Sequence, residues 1–238
     1  MPVQPLSSAL KCFELLDVIA ARPGSVRVSE LGRLIGETRG TTYQRLLTLS
    51  AAGWIERLEN GSYRLTTHAC RIANAAMEHA GFDERVTIIL NRLSDETGET
   101  STLVTLDDHR PVIVQRVQSK GTLRADQRIG AELSFKDSPS GKVWLAFGPS
   151  GLSEQLKKKG VAVASKAEVK RVLANGYATG GGGRTLQGVA AVSVPLTNRS
   201  GACAASMSVV SPDTRFDLER TLPLLQAAAK EAMLLLPD

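Results

Sequence analysis

The sequence predicts a two-domain chain of mixed α/β class, and three observations carry that reading. The first is size: 238 residues with 42% hydrophobic content suffice for two packed cores. The second is a change of texture. Helix-like segments and a hairpin signal crowd into residues 1–67, whereas the remainder sets strand-like runs among helices. The third is Asn60-Gly61 between the short runs 54–58 and 62–66, a strong hairpin signal because both central positions of such a turn want positive φ.

The elements follow in order. Residues 7–21 place Leu10, Phe13, Leu16 (or Leu15) and Ile19 on one stripe, and Arg22-Pro23-Gly24 ends that helix. Residues 29–35 repeat the pattern with Leu31, Leu34 and Ile35, with Ser29 as N-cap. After a turn over 36–40 comes a third helix. In the stretch ETRGTTYQRLL (37–47), helical spacing puts Tyr43, Leu46, Leu47 and Ser50 on a core face and leaves Thr41, Thr42, Gln44 and Arg45 outside. The helix runs to about Ala52, and Gly53 caps it. Three helices and a hairpin make a winged helix-turn-helix, whose second paired helix enters the DNA major groove.

Residues 1–67 are therefore read as a DNA-binding domain, 68–82 as a linker helix and 83–238 as a second domain. Within the last, a helix at 83–97 precedes strands at 100–107 and 111–118. Helices at 140–147, 152–159 and 166–175, strands at 188–197 and 202–210, and a closing helix at 216–235 follow. That order describes an α+β domain with an antiparallel sheet.

Composition narrows the functional classes. No basic segment followed by an apolar run opens the chain, and no window approaches the ~18 uninterrupted apolar residues of a membrane span, so a cytoplasmic location without membrane partners is expected. Cys12, Cys70 and Cys203 share no metal-binding spacing with His68, His79 and His109, so neither a metal nor a cofactor is expected. The net charge of +5 points only weakly to an anionic partner. An enzyme is the rival class. Ser140-Gly141-Lys142 resembles a phosphate loop, but Lys136 stands where the first glycine is required and Val143 replaces the magnesium-binding hydroxyl. No Gly-x-Ser-x-Gly elbow exists, and Asp107-Asp108 falls in a turn, so no catalytic residue is assigned. A winged helix that binds protein instead of DNA is the third alternative.

The pattern Ala9-Leu10-Lys11, Leu15-Leu16, Ser29-Glu30-Leu31, Arg45-Leu46-Leu47 and Gly53-Trp54-Ile55-Glu56 resembles the IclR family of bacterial transcriptional regulators. The second half matches that family at 96–100, Arg128-Ile129-Gly130, Ser140-Gly141-Lys142, Gly188-Val189 and 201–212, so the resemblance covers nearly the whole chain. It implies a homodimer, or a dimer of dimers, that binds a pseudo-palindromic operator in double-stranded DNA. It also implies a GAF-like C-terminal domain that holds a small organic acid. Two departures stand out: the entry to the recognition helix is about one residue longer and reads 38–42, and a glycine run at 180–183 followed by Arg184 replaces the usual acidic stretch. Ala191, Ser208 and Val210 occupy positions that are polar in relatives with very small effectors, which favours an aromatic or medium-sized acid with its carboxylate on Arg184.

The DNA-binding candidates are accordingly Arg39, Gly40, Thr41, Thr42, Gln44 and Arg45, with Arg57, Asn60 and Arg64 on the wing. Hydroxyls and guanidinium groups reach phosphates, while Gln and Arg read base edges. The same residues also suit a plain solvated face, and Tyr43 is read as core. The effector-binding candidates are Pro139, Ser140, Gly141, Trp144, Arg184, Ala191, Ser193, Ser208 and Val210. Ser138 or Ser140 can equally be a helix cap, Trp144 a core residue, and the glycine run either a loop or a lid.

Overall fold

The computed structural model describes residues 4–82, 84–121, 127–181 and 188–236. It divides into two compact units, Met1–Met77 and Glu78–Asp238. Among the described residues no helix is long and apolar enough to cross a membrane.

In the first unit, helices α1 (Ser7–Ala20), α2 (Val28–Ile35) and α3 (Arg39–Ala51) precede strands β1 (Ile55–Arg57) and β2 (Tyr63–Leu65). One core joins them: Leu15, Ile19, Val26, Leu31, Ile35, Leu46, Leu49, Ile55 and Tyr63. The stripe of α1 differs from expectation, because Leu10 and Phe13 are more than half exposed and Cys12, Leu15, Leu16 and Ile19 face inward. Helix α2 starts a residue early, so Ser29 lies within its first turn, and Arg27 at the N-cap provides no side-chain cap. Gly36 ends α2 in the left-handed region, and Thr38 caps α3 by accepting from the Thr41 amide at 3.3 Å.

The wing turn also departs from the two-residue form. Only Gly61 is left-handed, at φ 77°, while its amide bonds Leu58 O at 2.9 Å and the Leu58 amide bonds Ser62 O at 2.8 Å. That is a three-residue loop closed by a glycine bulge. Asn60 instead uses its side-chain oxygen to accept from the Ser62 amide at 3.0 Å. The two-residue turn with both φ positive occurs in the second unit, at Asp108 (39°) and His109 (62°). Helix α4 (His68–His79) has no buried residue.

The second unit is built on a five-stranded antiparallel sheet. Helix α5 (Glu84–Thr97) leads into β3 (Thr100–Asp107) and β4 (Arg110–Val117). Helices α6 (Pro139–Phe147), α7 (Leu152–Lys158) and α8 (Lys166–Asn175) come next. Strands β5 (Ala178–Gly181), β6 (Val189–Thr197) and β7 (Cys203–Pro212) and helix α9 (Leu218–Met233) complete it. The strand order is β4-β3-β7-β6-β5. Helices α5 and α9 pack together and against the central strands, while α6 packs on β6 and β7 with α8 behind it. Strand β5 was not expected: Ala-Thr-Gly-Gly has no alternation, and its assignment corrects the reading of Gly180 and Gly181 as a loop or lid. They pair with Ala191 and Ala190. Residues 182–187, Arg184 included, lie outside the described residues.

Helix α8 opens with a reciprocal cap. The Glu168 amide donates to Ser165 Oγ at 3.2 Å, and the Glu168 carboxylate accepts from the Ser165 amide at 3.0 Å, while Lys142 lies 3.1 Å from it. Hydrogen bonds from Ser165, then Lys142, hold the Glu168 carboxyl down at about 2. Because the folded value is lowered, the stabilisation is complete above the ordinary carboxylate range near ~4.3. It is lost as the pH falls toward about 2. Glu168→Ala should therefore cost about 1 kcal/mol at neutral pH, a figure limited by solvent screening of this partly exposed group. Urea unfolding at stepped pH should show the gap from wild type closing between those limits.

Candidate nucleic-acid interface and effector cavity

Helix α3 is rotated relative to its hydrophobic pattern. Thr42, Leu46 and Leu49 are buried, whereas Tyr43 and Leu47 are 38% and 43% exposed. The cause is a close approach of α2: a Cβ on Gly32 would lie 3.0 Å from both Thr42 Oγ1 and Glu37 O. So tight a contact selects a small residue on α3, and Thr42 meets its polar need by donating to Thr38 O at 2.9 Å. Thr42 is thereby withdrawn from the set of DNA contacts, and Tyr43 is corrected from core to surface.

Arg45 is a second correction. Its Nε and Nη2 donate to the two Glu37 carboxylate oxygens, each at 2.8 Å, and its Nη1 donates to Ser8 O at 2.9 Å. The side chain is only 17% exposed. Hydrogen bonds from Arg45 hold the Glu37 carboxyl below its ordinary range, and the guanidinium is raised in turn. Arg45 fastens α3 to the preceding turn and to α1.

What α3 shows outward is Gly40, Tyr43, Gln44, Leu47 and Thr48, spaced as one helical face, with Arg39 and Thr41 at its start. Gly40 serves no packing need, since a Cβ there would meet nothing within 4 Å. Thr41 is exposed with its hydroxyl 3.0 Å from that of Thr38. Arg39 and Tyr43 line a polar groove of about 520 Å³ together with Arg27, Ser29, Arg57 and Asn60. Pairing of Arg57 with Tyr63 puts Arg57 on the hairpin face shared with that groove. Arg64 pairs with Glu56 on the other face and donates to its carboxylate at 2.7 Å, so it stands apart from the groove. Sequence reasoning missed Arg27 and Ser29, whose only signal was their place at the start of α2.

The second site lies in the C-terminal unit, where the N-terminus of α6 meets β3, β6 and β7. A cavity of about 190 Å³ is bounded by Pro139 and Ser140 of α6, by Ala191, Ser208 and Val210 of the sheet, and by Thr102. The chain 127–138 closes it with Gln127, Glu132, Leu133, Ser134, Asp137 and Ser138. Ser138 is the helix cap, its Oγ accepting from the Gly141 amide at 3.0 Å. Pro139 has no N–H to give, so the Ser140 amide is the first-turn donor left for a ligand.

Behind the cavity the buried hydroxyls form a relay. Ser208 Oγ donates to Ser193 Oγ at 2.9 Å, Ser193 Oγ donates to Met207 O at 3.3 Å, and Ser140 Oγ sits 2.8 Å from Ser208 Oγ. Ser193 thus supports the cavity wall without lining it. Trp144, taken as a possible pocket wall, packs in the cluster of Val104, Ile113, Phe135, Leu152 and Leu156 and does not line the cavity. Gly141 is needed for packing, since a Cβ there would sit 2.2 Å from Ser134 O. Gly180 presses on the same chain: its Cβ would lie 2.9 Å from Asp137 O. The segment 127–134 matched the family at Arg128-Ile129-Gly130, but that motif carried no signal of which residues line the cavity.

Comparison with known proteins bears on both units. The family model described as bacterial transcriptional regulator IclR C-terminal matches residues 74–234, and that of the IclR helix-turn-helix domain matches residues 8–59. The transcriptional repressor IclR of Escherichia coli (strain K12) is 31% identical over 163 residues, covering 67% of this chain and 58% of that one. The chain therefore matches rather more than half the length of that repressor. The regulator XynR of the same organism is 26% identical over 91% of this chain and 90% of its own. Among solved structures, an IclR homologue from Microbacterium hydrocarbonoxydans complexed with 4-hydroxybenzoate superposes with a TM-score of 0.81 at 18% identity, covering 96% and 98% of the two chains.

Proposed function

The chain belongs to the IclR family of bacterial transcriptional regulators, and from that premise we propose that it regulates transcription by gripping duplex DNA with its N-terminal unit while its C-terminal unit senses a small organic acid. The observation that carries this is the groove between α2, α3 and the wing, where Arg27, Arg39 and Arg57 gather with no carboxylate among the lining residues. Three guanidinium groups facing one concavity repel one another unless an anion joins them. In this reading those arginines take backbone phosphates, helped by the uncapped first turn of α2. Gly40 lets the backbone approach closely, Thr41 and Asn60 flank the phosphates, and Gln44, beside Tyr43, reads base edges from the outward face of α3.

Two such units in a homodimer, or four in a dimer of dimers, meet half-sites of a pseudo-palindromic operator. Domain limits at 1–67, 68–82 and 83–238, and a cytoplasmic location, belong to the same proposal. The acid sits against the Ser140 amide in the cavity, with Ala191 and Val210 along its apolar body, and changes operator affinity by a coupling of ~1–3 kcal/mol. The 4-hydroxybenzoate complex of the Microbacterium homologue supports an acid of that kind.

The test is fluorescence anisotropy with an operator selected from random duplexes. Arg39→Ala and Arg57→Ala should each weaken binding to every duplex and lower the salt slope by about one, whereas Gln44→Ala should cost ~1–3 kcal/mol on the selected sequence alone. Wild-type affinity and slope in all three variants would sink the proposed interface.

A further inference from the structure

No charged side chain stands on the outward face of α3, and that limits which bases it can read. Helical spacing lines Gly40, Gln44, Leu47 and Ala51 along the centre of the face, with Tyr43 and Thr48 on its flanks, and all six are exposed. The two arginines of α3 are engaged elsewhere. Arg45 holds Glu37 and Ser8 O, and Arg39 lines the groove with Arg27 and Arg57. The Thr48 hydroxyl donates back to Gln44 O at 3.1 Å, so its proton is not offered outward. Arginine and lysine are the usual bidentate readers of guanine, and carboxylates accept from cytosine N4, so this face has no partner for G·C pairs.

Leu47 sits at the middle of that face. It is 43% exposed, although Leu46 and Leu49 beside it are buried in the core, and it does not line the groove either. A lone exposed leucine is ordinary on a protein surface. This one lies one turn beyond Gln44 and Tyr43, and Tyr43 lines the groove of three arginines, whose charge is complementary to a polyanion. Duplex DNA exposes one apolar group in its major groove, the C5-methyl of thymine, and glutamine pairs bidentately with adenine N6 and N7.

Building on the interface proposed above, we infer that α3 reads A·T pairs, with Leu47 packed on a thymine methyl and Gln44 on an adenine edge. Gly40 and Ala51 are small at the two ends of the face and let the helix sit deep in the major groove, and a Cβ on Gly40 would meet nothing within 4 Å. Leu47 is then a specificity residue. It touches no phosphate, so it discriminates between duplexes without adding to the affinity they share.

The experiment uses the full chain and the operator selected from random duplexes, with deoxyuridine replacing thymine one position at a time. That exchange removes the methyl and keeps every Watson–Crick hydrogen bond. In the wild type at least one position in each half-site should weaken binding about fourfold, the effect of losing one buried methyl. In Leu47→Ala, thymine and deoxyuridine should become equivalent there with the salt slope unchanged, a combination that general loosening of the fold would not give. A wild type indifferent to every exchange, while Arg39→Ala still lowers the slope, would overturn the inference and leave the interface standing. An unchanged slope in Arg39→Ala as well would bring down both. A methyl effect that persists in full in Leu47→Ala would overturn the role given to Leu47, as would a loss of self-association in that variant with DNA binding intact.

Discussion

Gly141→Ala is expected to unfold the C-terminal unit selectively. The new methyl would lie 2.2 Å from Ser134 O and 2.7 Å from Phe135 Cα, both backbone atoms, so no side-chain rotation relieves the clash. Either α6 or the chain at 134–138 must move, and that chain also carries the Ser138 cap and one wall of the cavity. We expect a loss of about 3 kcal/mol, at the upper end of overpacking costs. The two tryptophans make it measurable, since Trp54 packs on the first core and Trp144 belongs to the second unit. In a Trp54→Phe background the urea midpoint of the Trp144 signal should fall sharply, while in a Trp144→Phe background the Trp54 transition should not move. An unmoved Trp144 midpoint would show that the clash is absorbed, and a shared shift that the two units unfold as one.

Arg45→Ala should act on the first unit and on DNA binding by one route, loss of structure. The substitution strands the Glu37 carboxylate, whose side chain is only 14% exposed, and frees Ser8 O. Breaking a buried pair from one side costs ~3–5 kcal/mol, and the residual exposure here argues for about 2–3 kcal/mol. Adding Glu37→Gln should restore part of that, because the stranded charge is then gone. The Glu37 carboxyl is lowered in the fold, so the clamp is complete above the ordinary carboxylate range and weakens as the pH falls below it. Cooled until it is folded, the variant should bind DNA with an undiminished salt slope. A slope reduced by about one would show that Arg45 touches phosphate after all.

What could be read from the sequence was whatever depends on neighbours along the chain. The wing strands, the left-handed Gly53 after α3, and the alternation of helices and strands in the second unit are local signals. The phase of α3 was not local. It is set by Gly32 on another helix, and no count of apolar residues in α3 reveals that a threonine belongs inside. Arg45 misled for a related reason, since an arginine in the middle of α3 looks the same in sequence whether or not a carboxylate eight residues earlier folds back onto it. In the cavity, the α6 cap and the serines of β6 and β7 were marked by motif, but the acceptors at 127–137 arrive on a loop whose position only the fold determines.

The two edges of the large sheet carry a consequence for strand addition. An exposed strand edge is a template on which another chain can add, the usual start of β-aggregation. On one side β5 (Ala178–Gly181) pairs with β6 and its Gly-Gly carries no side chains to pack against an added strand. On the other, the Ile113 amide bonds Ala131 O at 3.1 Å and the Leu133 amide bonds Pro111 O at 2.7 Å, so a loop already occupies the ladder positions of β4. A change that peeled this loop from Pro111 and Ile113 would expose those ladder positions to strand addition by another chain.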